Sequence, residues 1–121
     1  MQISEAESRV MQALWARGPS TAEEVVQALA DSDWQDSTIR TLLNRLLKKG
    51  ALGVEQEGRR YRYRPLLARD AYVLEESRSL IERLFDGRVA PLVAHFSRHG
   101  QLSAKDVAEL RRLIEEIDDE R

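Results

Sequence analysis

The sequence contains no cysteine. Disulfides, thiolate metal ligands and thiol switches are therefore excluded, and a reducing compartment is the natural setting. It also lacks any run of roughly 18 apolar residues, the length that a bilayer-spanning helix needs, so membrane insertion is not expected. The opening stretch MQISEAESRV carries acidic residues where a secretory leader needs a basic patch and an apolar core, so a cytoplasmic location is expected. Histidine is scarce, with 2 residues, which leaves little for a multi-histidine metal centre. His95 and His99 are four apart, a spacing able to place two imidazoles on one ion, but no third ligand is evident and no metal is expected. Nucleophile elbow, phosphate loop and paired-carboxylate site are all missing, so neither catalysis nor a cofactor is expected.

What is present is an uneven charge distribution. The 121 residues carry a formal net charge of −2. Residues 36–69 hold nine basic side chains against three acidic ones, a local charge of +6, whereas the segments on either side are each at −4. A mildly acidic chain with one concentrated basic block directs its positive potential at a partner with closely spaced negative charges.

Period and capping signals divide the chain into elements. Ser4 with Glu7 has capping-box spacing, and Ala6, Val10, Ala13 and Leu14 recur at helical spacing until Gly18-Pro19, which predicts a helix over 4–17. Ser20 with Glu23 repeats the box ahead of a short helix to about residue 30, with Ala22, Val25, Val26 and Leu29 as its apolar stripe. A third helix starts at Asp36 or Ser37, one of which would cap it, and ends at Lys48-Lys49-Gly50. Its apolar stripe is Ile39, Leu42, Leu43, Leu46 and Leu47. The opposite face carries hydrogen-bonding and cationic residues and no carboxylate. The period then falls to two around Gly58, which predicts a β-hairpin with Tyr61 and Tyr63 on its packed face and Arg60, Arg62 and Arg64 outward, closed by Pro65. Trp15 and Trp34 read as core packing and as a support for the turn before the third helix.

Three helices followed by a hairpin is the order of a winged helix-turn-helix, and the fold class expected is mainly α with a small β-hairpin. Residues 1–69 form that unit, and 70–121 form a helical region. The major groove admits one α-helix, and the third helix is suited to it. Ser37, Thr38, Arg40 and Thr41 lie near its start, where base edges and nearby phosphates are within reach, and Asn44 and Arg45 follow one turn later. Arginine pairs with guanine edges and asparagine with adenine. Lys48 and Lys49 sit at the helix end, where phosphate contact is expected. Arg59 and Arg60 stand at the tip of the wing, with Arg62 and Arg64 nearer the body. The competing reading is a winged-helix adaptor for another protein, since fold alone does not decide function; an adaptor has no need of the +6 block.

The C-terminal region is helical throughout, with breaks at Gly87 and Gly100 and a Ser103–Asp106 cap on its last helix. Some fifty residues in three helices bury little surface alone. Leu80, Leu84, Phe85, Leu92, Phe96, Leu110, Leu113 and Ile117 are the set expected to be covered, within the chain or, as the length of the first unit favours, across a dimer axis. The acidic end EEIDDE reads as a solvated helix terminus.

The segments EAESRVMQALWARGP, STIRTLLNRLLKKGAL and RYRYRPL, followed by LIERLFDGRVAPLVAHF and LSAKDVAELRRLIEEI, resemble the penicillinase-repressor family of BlaI, MecI and CopY regulators over about residues 3–117. The resemblance implies a homodimeric repressor on double-stranded operator DNA, with a palindromic operator and control of β-lactamase or related stress genes. It further implies a membrane sensor metalloprotease as a partner, cutting in the dimerisation region. The corresponding bond is His95–Phe96, with His95 standing where the cut members carry asparagine. The cysteine pairs of the copper-responsive branch are missing.

Overall fold

The computed structural model describes residues 1–120. Its chain divides into two compact units, Met1–Val73 and Leu74–Arg121. The first unit begins with α1 (Glu5–Arg17), capped reciprocally by Ser4 and Glu7: the Glu7 N–H donates to Ser4 Oγ at 3.1 Å, and the Ser4 N–H to Glu7 Oε1 at 2.9 Å. It stops at Gly18, whose φ of 85° is open to glycine at little cost.

The second helix differs in detail from the sequence reading. Ser20 and Thr21 form a short strand β1 (Ser20–Thr21), and the capping box moves one residue on, to Thr21 and Glu24, ahead of α2 (Ala22–Ala28). Ser20 is unavailable as a cap because its backbone pairs with Tyr63 and its hydroxyl donates to Gly18 O at 2.8 Å. The recognition-type helix α3 (Asp36–Lys49) likewise starts without the expected cap: Gln35 occupies the N-cap position and makes no side-chain bond, while Asp36 is already helical. At the other end Gly50 takes the left-handed conformation (φ 80°, ψ 12°), and the Ala51 N–H reaches back to Leu46 O at 3.0 Å, as a glycine-terminated helix requires.

The wing is β2 (Leu52–Glu57) and β3 (Arg60–Pro65), antiparallel, with Val54 opposite Tyr63 and Glu57 opposite Arg60; the sheet order is β1-β3-β2. β1 escaped the sequence reading because two residues are too few to show a period. Tyr63 is half-buried against the core, but Tyr61 is 54% exposed, not packed as expected. Tyr61 lies nearer the hairpin tip, opposite Gln56, where the wing extends past the body that would cover it.

The core is one cluster: Val10, Met11 and Leu14 from α1, Val25 from α2, Ile39, Leu42, Leu43 and Leu46 from α3, then Ala51 and Leu52. Four of the five residues of the expected α3 stripe are buried and Leu47 is half-buried. Each such side chain contributes about 1.5–3 kcal/mol by leaving water. Trp15 ties the exit of the wing to α1, its Nε1–H donating to Leu67 O at 2.9 Å.

The remaining helices are α4 (Arg69–Phe85), α5 (Val89–Arg98) and α6 (Ala104–Asp119), the last capped by Ser103 and Asp106 as expected. None of the three contains a fully buried residue. No described helix is long and apolar enough to cross a membrane. Leu43 is wholly buried beneath the outer face of α3. Its replacement, Leu43→Ala, is expected to cost about 2–5 kcal/mol in urea denaturation; a loss below 1 kcal/mol would contradict this core assignment.

Candidate nucleic-acid interface

The apolar stripe of α3 faces inward, so the residues between its members face out. Ser37, Thr38, Arg40, Thr41, Asn44, Arg45 and Lys48 are all exposed, and Ser37, Thr38, Thr41 and Arg45 line a shallow surface hollow of about 230 Å3. Thr41 turns its hydroxyl back onto Ser37 O at 2.9 Å, which commits its proton to the helix backbone. Asn44, Arg45 and Lys48 enter no ion pair or side-chain hydrogen bond among the described residues, which leaves them available to a ligand.

The start of α3 is held from below rather than by a cap. Trp34 is half-buried on the core, and the Arg9 guanidinium lies over its ring, 4.5 Å from the centroid. Such a cation–π contact contributes about 0.5–1 kcal/mol at exposed sites. The two residues are far apart in sequence and on different elements, so no local pattern signals their meeting.

The wing arginines are placed unequally. Arg62 Nε sits 2.6 Å from Glu57 and Arg64 Nε 3.1 Å from Glu55, cross-strand pairs on an exposed surface. Arg62 also points toward Pro19 O at 3.5 Å. Arg59 and Arg60 make no ion pair among the described residues and join Arg40 around a small cleft of about 160 Å3, with Glu23 inside it. Arg40 Nη2 meets Glu23 Oε1 at 3.1 Å. Glu23 lies below the ordinary carboxylate value, held there first by its own backbone N–H and then by Arg40. Exposed pairs of this kind are worth at most about 1 kcal/mol, so a phosphate can displace them.

Lys49 has a different position from the one anticipated for a phosphate contact. Its Nζ lies 2.6 Å from Glu7 Oε1 and 2.9 Å from Gln2 O. Glu7 is only 2% exposed, and its second oxygen has no hydrogen-bond partner. Burial by itself would raise the Glu7 carboxyl, but the Lys49 ammonium and the Ser4 N–H and hydroxyl outweigh it and hold Glu7 below its ordinary value. Lys49 is thus a neutralising partner for a buried acid, and only Lys48 of the pair faces outward freely. The burial of Glu7, a residue whose spacing already assigns it to a cap, was hidden from a sequence reading.

In the second unit the expected apolar set lies open. Phe85, Leu92 and Leu110 are half-buried, whereas Leu80, Leu84, Phe96, Leu113 and Ile117 are exposed, Leu84 by 65%. A largely apolar groove of about 420 Å3 runs between α4 and α5, with Leu80, Leu84, Leu92 and Phe96 among its walls. The His95–Phe96 bond lies inside α5. The rings of His95 and His99 are 4.5 Å apart, and no cluster of three metal-ligating residues exists among the described residues.

The family model described as penicillinase repressor matches residues 3–116. The chain belongs to the penicillinase repressor family. A penicillinase repressor of Bacillus licheniformis is 37% identical over 116 residues, spanning 95% of this chain and 91% of its own length. The methicillin resistance regulatory protein MecI of Staphylococcus aureus strain N315 is 29% identical over 114 residues, 93% of each chain. Among solved structures, B. licheniformis BlaI in monomeric form, in complex with the blaP half-operator, is 41% identical with a TM-score of 0.54, covering 60% of this chain and 89% of that one. Wild-type MarR of E. coli, at 19% identity and a TM-score of 0.54, shows the fold alone. This family of transcriptional repressors carries the winged helix, and the present chain is a DNA-binding member of it.

Removing the Lys49 partner strands a buried carboxylate. Lys49→Ala is expected to lower unfolding free energy by about 1–3 kcal/mol, while Lys48→Ala leaves it unchanged; equal effects on thermal denaturation would refute the distinction. Because the folded-state value of Glu7 is lowered, its stabilising contribution is complete above the ordinary carboxylate pKa of about 4.3 and is lost as pH falls through the lowered value. Glu7→Gln should flatten that acid limb of the stability curve.

Proposed function

We propose that this family member acts as a homodimer in the cytoplasm and represses transcription by seating α3 of each copy in the major groove of a two-fold-symmetric operator, with the wings on the flanking backbone. One observation carries this reading: the unit whose core closes by itself displays the basic face, while the helices after it leave their apolar residues uncovered. The first property suits a duplex and the second a copy of the same chain. Ser37, Thr38, Thr41, Asn44 and Arg45 are the side chains nearest base edges in this arrangement, with Arg40, Lys48, Arg59, Arg60 and Arg62 on phosphates. The likeness to repressors of penicillinase and methicillin resistance supports a β-lactamase or related stress gene as the target. It also fits release of the operator by a membrane sensor metalloprotease acting at His95–Phe96. That bond lies within a helix, so cutting requires α5 to open locally first.

Selection of sites from random duplexes, followed by titration in anisotropy, tests the reading. Arg45→Ala and Asn44→Ala should each reduce the preference for the selected site over a scrambled one by about 1–3 kcal/mol. Lys48→Ala should weaken both duplexes alike and lower the salt slope by about one. Equal affinity of the unaltered chain for selected and scrambled duplexes would defeat specific repression.

The dimer is tested by sedimentation at micromolar concentration. The unaltered chain should run as a dimer and Leu84→Asp as a monomer with a folded winged helix. A monomeric unaltered chain would remove the symmetric operator from the proposal.

A further inference from the structure

The cleft between α2, α3 and the wing has a composition that the DNA-binding reading leaves unexplained. Arg40, Arg59 and Arg60 converge on it together with Tyr61, and the only acid lining it is Glu23. Three guanidinium groups against one carboxylate leave an unbalanced positive charge in a concave site. The elements that meet there are those that flank a groove in a winged helix: the helix before the recognition helix, the recognition helix itself, and the hairpin.

Glu23 already occupies that site in the way an anion from outside would. Its Oε1 accepts from Arg40 Nη2 at 3.1 Å, and Arg60 acts on it through space. The side chain is 68% exposed and the partner arginine 50%, so the pair is open to exchange with solvent ligands. A duplex phosphate can take the place of Glu23, because guanidinium groups bind phosphate oxygens in the same planar two-bond arrangement that suits carboxylates, and Glu23 makes a single contact with Arg40.

We propose that this cleft is the seat for one backbone phosphate of the duplex and that Glu23 holds the place of that phosphate in the free protein. The inference rests on the DNA-binding reading and deepens it. Displacing Glu23 imposes the same cost on every duplex, since phosphates carry no base information. Glu23 therefore lowers the affinity for every duplex alike and leaves the gap between operator and bulk DNA unchanged, so that it sets the absolute level of sequence-independent binding.

The test uses the full chain, a scrambled duplex and anisotropy titrations over a potassium chloride series, with Glu23→Gln, Arg40→Ala and the double variant. Both positions tested are exposed, so folding is not at stake. Glu23→Gln should tighten binding to the scrambled duplex by roughly three- to tenfold and steepen the log–log salt slope by up to about one, as one more phosphate contact would. In the Arg40→Ala background the same change should have little effect, because the guanidinium that it frees is gone. An unchanged affinity for Glu23→Gln overturns the proposal. So does an equal gain with and without Arg40, which would make Glu23 a general repulsive charge. If the unaltered chain binds no duplex at all, the repressor reading fails and this inference fails with it; the first two outcomes leave that reading intact.

Discussion

The burial of one stripe of α3 is the constraint on which the rest depends. Ile39, Leu42, Leu43 and Leu46 lock the helix against α1 and α2, and once they are inside, the helical period leaves Thr38, Thr41, Asn44 and Arg45 no orientation but outward. The readout face needs no scaffold of its own. It is the complement of the core, and any change that loosens the stripe also misplaces the side chains proposed to meet the duplex. The cap at Gly50 and the Arg9–Trp34 contact hold the two ends of the same helix, which compensates for the absence of a side-chain cap at Gln35.

Charge is organised around that helix at two depths. Below it, Glu7 and Lys49 form a pair in which one partner is almost dry, so its removal is costly and its function is structural. On the surface, Glu23, Glu55 and Glu57 stand beside Arg40, Arg64 and Arg62 in pairs that water screens and phosphates can replace. The same residue types thus hold the fold together in one place and serve as exchangeable partners in another. Burial is what separates the two uses.

The two units also divide the energetic work. Met1–Val73 contains the whole buried cluster. Leu74–Arg121 has well-formed helices, a capping box on α6 and no buried side chain among the described residues, so its apolar residues are organised along helix faces without being covered. Local signals are enough to build helices of that kind, but a core requires a second surface.

Much of this was legible from the residues alone, because helix caps, apolar periods and glycine stops act over three or four positions. The boxes at Ser4 and Ser103, the stripe of α3, the Gly50 cap and the hairpin at Gly58 are all of that kind, and the +6 block by itself marks the basic face. Four features depended on partners distant in sequence. β1 exists only because β3 lies beside it, and its formation moved the cap of α2 from Ser20 to Thr21. Tyr61 is left exposed by the reach of the wing, and Lys49 pairs with a buried acid 42 positions away instead of pointing freely outward. Periodicity determines which face of an element is apolar, since that follows from backbone geometry. Only the tertiary fold decides which charges on the other face remain free, since that depends on what the chain brings within a few ångströms of them.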